Sequence, residues 1–71
     1  MERELAELIK ERATTSVRLL HSIVIETKDR CRSDQYKTMK HGVGLAIGRI
    51  QMEILEVVNA EYPDLDDLKD L

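Results

Sequence analysis

The sequence predicts an all-α protein, an antiparallel two-helix hairpin that dimerises into a four-helix bundle. Three observations lead there. Apolar residues recur at steps of three and four along two long segments. One short polar stretch, Arg30 to Gln35, separates those segments. The chain has 71 residues, too few for a second domain and few enough to be marginal alone.

The first helix is expected over about 3–31. Ala6, Ile9, Ala13, Val17, Leu20, Val24, Thr27 and Cys31 form its apolar stripe. Leu5, Leu8, Leu19 and Ile23 widen that stripe beyond what one neighbour covers. Thr14, Thr15 and Ser16 compete for backbone hydrogen bonds, which leaves the helix open to a bend or break there. A tight turn near Arg32 follows, with Ser33 as N-cap of the next helix.

The second helix is expected over about 34–61. Met39, Val43, Ala46, Ile47, Ile50, Ile54, Val57 and Val58 form its main stripe, and Leu45, Met52 and Leu55 lie on an adjacent face. Pro63 stops it, because the residue before a proline avoids the helical region. The segment 63–71 is either an acidic tail or one more short helix capped by Asp64. Two helices of similar length with a short connection pack antiparallel. Their single shared seam cannot cover both wide stripes. A second copy would bury the remainder, so a homo-oligomer, with a dimer favoured, is expected.

The only glycines are Gly42, Gly44 and Gly48. Each costs roughly 1 kcal/mol inside a helix. Their spacing resembles a variant of the dinucleotide-binding fingerprint, but no strand precedes it and too little chain follows for a βαβ unit. Gly44 and Gly48 are four apart, on one helix face. They are expected to receive a close helix contact, either from the chain's own first helix around Val17, Leu20 and His21 or from a helix of a second copy. A bend at Gly42 to Gly44 is the alternative.

Charged residues make up 35% of the chain, and no apolar run approaches the roughly 20 residues that span a bilayer. No membrane association is expected. The first residues lack the apolar run of a signal peptide. Cys31 is the only cysteine, so no internal disulfide forms, and a cytoplasmic location is the simplest expectation. Charge is segregated: −1 over residues 1–27, +4 over 28–49 and −6 over 50–71.

Lys28, Arg30, Arg32, Lys37 and Lys40 gather around the expected turn, with His41 and Tyr36 nearby. Such a group could contact phosphates, and Tyr36 could stack on a base. A dimeric hairpin of this kind is similar in architecture to the Rop family of plasmid RNA-binding proteins. Glu4-x-x-Glu7 and Glu26-x-x-Asp29 resemble the metal motifs of the all-α nucleoside triphosphate pyrophosphohydrolases, which implies carboxylate-bound magnesium. No histidine or cysteine pair has zinc-ligand spacing, and no serine, threonine or cysteine has a recognisable base partner. No catalytic, cofactor or metal residue is therefore assigned. The expected function is a small non-enzymatic protein–protein interaction module: an adaptor, a chaperone-like protein or a regulatory homodimer. Its protein partner is unknown. The alternatives are a nucleic-acid-binding regulator and a metal-dependent phosphohydrolase.

Overall fold

The computed structural model describes residues 1–65; the expectations for the last six residues lie outside it. Helix α1 spans Arg3–Thr27 and helix α2 spans Ser33–Ile50. A turn of π-helix, Gln51–Leu55, joins α2 to a short α3, Glu56–Glu61. One 3₁₀ turn follows over Pro63–Leu65. The described residues contain no strand. α1 packs along α2, the π turn and α3, giving an antiparallel hairpin whose Cα envelope is 45 × 22 × 16 Å.

α1 runs unbroken through Thr14 to Ser16, where the sequence left room for a bend or break. The Ser16 hydroxyl donates to the Arg12 carbonyl at 2.9 Å, so it bonds back onto its own helix instead of opening it. The helix ends at Thr27, four residues before the expected limit. There the Thr27 hydroxyl takes the Ile23 carbonyl at 2.7 Å, and the Cys31 thiol takes the Thr27 carbonyl at 3.3 Å. The N-cap of α2 is Arg32, in extended conformation, and Ser33 is the first helical residue. Gln35 makes that cap work: its Oε1 accepts the Arg32 backbone N–H at 3.2 Å.

The inward stripe of α1 is the one the periodicity predicts. Ala6 and Ala13 are buried, and Ile9, Val17, Leu20, Val24, Thr27 and Cys31 are half-buried. The second strand of the hairpin departs from expectation. Val43, Ile47 and Ile50 face inward, but beyond them the inward residues are Leu55, Val58 and Tyr62. Ile54 and Val57 are 43% and 55% exposed. The step from Ile50 to Leu55 is five residues, the mark of the π turn, in which the Glu56 N–H bonds the Gln51 carbonyl. One extra residue per turn rotates everything after it by about 100°.

The open end shows why that rotation is favoured. Without it Glu61 would point into the seam and Tyr62 away. With it, the Tyr62 hydroxyl donates to the Met1 carbonyl at 2.6 Å. The Arg3 guanidinium stands 5.5 Å from the Tyr62 ring and pairs with Asp64. Asp64 thereby raises the Arg3 pKa above its ordinary value. Glu61 faces out and binds the Met1 amino group.

Because the π turn holds a surplus residue, deleting Met52, which is 70% exposed, should leave Leu55, Val58 and Tyr62 inward on a continuous α-helix. Thermal unfolding should show a melting temperature within a few degrees of the parent, or above it. Deleting Arg18 from α1, where no surplus exists, should rotate Leu20 and Val24 out of the seam and unfold the protein. Equal damage from both deletions would show that the π turn is not a register correction.

Candidate interaction surface

An antiparallel hairpin has two flanks, and a simple geometric rule sorts its side chains between them. Successive residues lie 100° apart around a helix. The residue just before each seam position therefore projects to one flank on α1. Because α2 runs the opposite way, the residue just before each of its seam positions projects to the same flank.

On that flank lie Leu5 before Ala6, Leu8 before Ile9, Leu19 before Leu20 and Ile23 before Val24. From the other half come Ile54 before Leu55 and Val57 before Val58, with Met39 leaning to the same side one turn ahead of Val43. These seven side chains are 39–63% exposed. Covering each remaining half is worth about 1 kcal/mol. The opposite flank carries the residues that follow seam positions: Glu7, Lys10, Thr14, Arg18, His21, Gly44, Gly48, Gln51 and Asn59. The first flank is mainly apolar, although Arg12, Glu26, Arg49 and Glu61 also precede seam residues. The second is polar except for Ile25, which follows Val24.

The seam itself is thin. Ala6, Ala13, Val43 and Val58 are the buried apolar residues among those described, and three other large apolar side chains outside the flank, Ile25, Leu45 and Met52, are more than 60% exposed. Exposed apolar side chains gathered on one side of a chain that is 35% charged form a candidate interaction surface.

The close contact expected at Gly44 and Gly48 is absent from the hairpin. A Cβ placed on Gly42, Gly44 or Gly48 meets nothing within 4 Å outside its own helix backbone and chain neighbours. α2 runs through all three with no positive φ, so the alternative of a bend is also not needed to hold them. Val17 and Leu20 are half-buried on the face of α1 that packs along α2. His21 is exposed on the polar flank.

The basic residues do gather at the turn end, and all five are exposed. Lys28 and Arg30 lie in the turn, Arg32 caps α2, and Lys37 and Lys40 border a shallow depression with His41, Gly44 and Leu45. Arg30 reaches Glu26 at 3.7 Å and Arg32 reaches Asp34 at 3.4 Å, so part of this charge is neutralised locally. The two acidic pairs are not brought together. Glu7 and Glu26 are separated by about 28 Å of helix, and each has an arginine partner, Arg3 and Arg30 respectively. Among the described residues no group of three or more His, Cys, Asp or Glu side chains could hold a metal, and no helix is long and apolar enough to cross a membrane.

Sequence reasoning missed the assignment of Ile54 and Val57 to the flank. The signal was present in the doublets Ile54-Leu55 and Val57-Val58, which offer an apolar residue in either register. Comparison with protein-family models, with curated proteins and with solved structures gives no match for this chain.

The open space around the glycines reverses the usual expectation for a glycine cluster. Gly44→Ala and Gly48→Ala should each stabilise the protein by up to about 1 kcal/mol. The double variant should melt several degrees higher with its association state unchanged. A lower melting temperature or a change of association state would place a neighbouring backbone against this face.

Proposed function

We propose that this chain is a small non-enzymatic protein–protein interaction module that acts as a homodimer, two hairpins meeting along their apolar flanks to make a four-helix bundle. The observation that carries this reading is the sorting of Leu5, Leu8, Leu19, Ile23, Met39, Ile54 and Val57 to one side of the hairpin. A monomer would leave all seven 39–63% exposed above a seam in which Ala6, Ala13, Val43 and Val58 are the buried apolar residues among those described. Pairing gives the second, wider core that small helical domains need. With that flank covered, the polar flank and the two ends remain for a further partner, as in an adaptor or regulatory component. The single reduced cysteine suits the cytoplasm.

A second reading, nucleic-acid binding at the turn end, has support from the common exposure of Lys28, Arg30, Arg32, Lys37 and Lys40. The acidic remainder of the chain and the local ion pairs of Arg30 and Arg32 weigh against it.

Sedimentation or light scattering should give twice the chain mass for the parent protein. Leu19→Glu with Ile23→Glu should give the single chain mass at the same concentration, with dimer affinity reduced at least about tenfold. A parent that sediments as a monomer up to high micromolar concentration would defeat this reading. Salt-sensitive RNA or DNA binding, lost on Arg30→Ala with Arg32→Ala, would establish the second one.

A further inference from the structure

We infer that the two hairpins pair with their turns at opposite ends, so that each apolar cluster of one copy packs on the other kind of cluster in its partner. This inference rests on the self-association proposed above and specifies its geometry. The apolar flank is divided lengthwise. Leu19, Ile23 and Met39 form a cluster in the turn half, and Leu5, Leu8, Ile54 and Val57 form one in the open half. Between them lie the flank's small residues, Ser16, Gly42 and Ala46, and two charged ones, Arg12 and Arg49.

Two features favour opposed turns. The first is charge. The turn-containing segment 28–49 carries +4, whereas the described residues 50–65 carry −4, and Glu2 and Glu4 at the open end outnumber Arg3. Opposed turns set each basic turn beside an acidic open end. Aligned turns would gather two basic ends together and two acidic ends together, at distances where such charges repel. The second is shape. In the opposed arrangement the twofold axis passes through the middle of the flank, beside Ser16 and Ala46, where small side chains let the helices approach.

Cys31 lies at the turn and reports on the arrangement directly. A nitroxide label on Cys31 of the parent protein should give an electron–electron distance on the order of the hairpin length, 45 Å. The same long distance should come from Lys37→Cys labelled in a Cys31→Ser background, where the label sits clear of the apolar flank. Raising the salt should weaken the dimer, since the end-to-end attraction is screened. A distance below roughly 20 Å from both labels, the separation of neighbouring helices plus the label arms, would overturn the opposed arrangement while leaving self-association standing. Absence of dipolar coupling together with a monomeric sedimentation mass would overturn both.

Discussion

Two helices share only one seam, and here that seam is lined by side chains as small as Ala6 and Ala13. Small residues let the helix axes come close, but they bury little apolar area per turn. Leu5, Leu8, Leu19, Ile23, Ile54 and Val57 are set one position earlier along each helix, on the border of the seam. This displacement of bulk from the seam to its border governs the rest of the molecule. It thins the internal core, concentrates Leu, Ile and Met on one flank, and leaves the opposite flank to Glu7, Lys10, Arg18 and their polar neighbours.

The same constraint explains which parts were legible in the sequence. The α1 stripe was fully readable, because every seam residue from Ala6 to Cys31 follows three-four spacing without interruption. The hairpin turn was readable from its polar composition, although a glutamine side chain at Gln35, rather than Ser33, completes the cap. The region after Ile50 was not readable from periodicity. Two apolar doublets satisfy two registers equally, and the choice between them is made about a turn later, where Tyr62 inside and Glu61 outside is favoured over the reverse. A local pattern cannot report a preference set by contacts with the other end of the chain.

The glycine cluster teaches the converse. Its three residues stood out in the sequence because they are costly in a helix, yet the hairpin makes no use of their missing side chains. What the candidate surface uses are ordinary leucines and isoleucines, individually unremarked, whose meaning comes from their common offset relative to the seam. The function proposed for the chain therefore depends on a collective pattern and on no single reactive group.

The contacts at the open end bring the start of α1 against the end of α3: Tyr62 on Met1, Glu61 on the Met1 amino group, Asp64 on Arg3. The hairpin is thus closed twice, once covalently through Lys28 to Arg32 and once by polar contacts at the opposite pole. Topologically it is a ring with one weak link. A covalent crosslink between the first residues of α1 and the stretch from Glu61 to Asp64 would close that link, and the polar turn could then be cut with the two arms still joined at the open end.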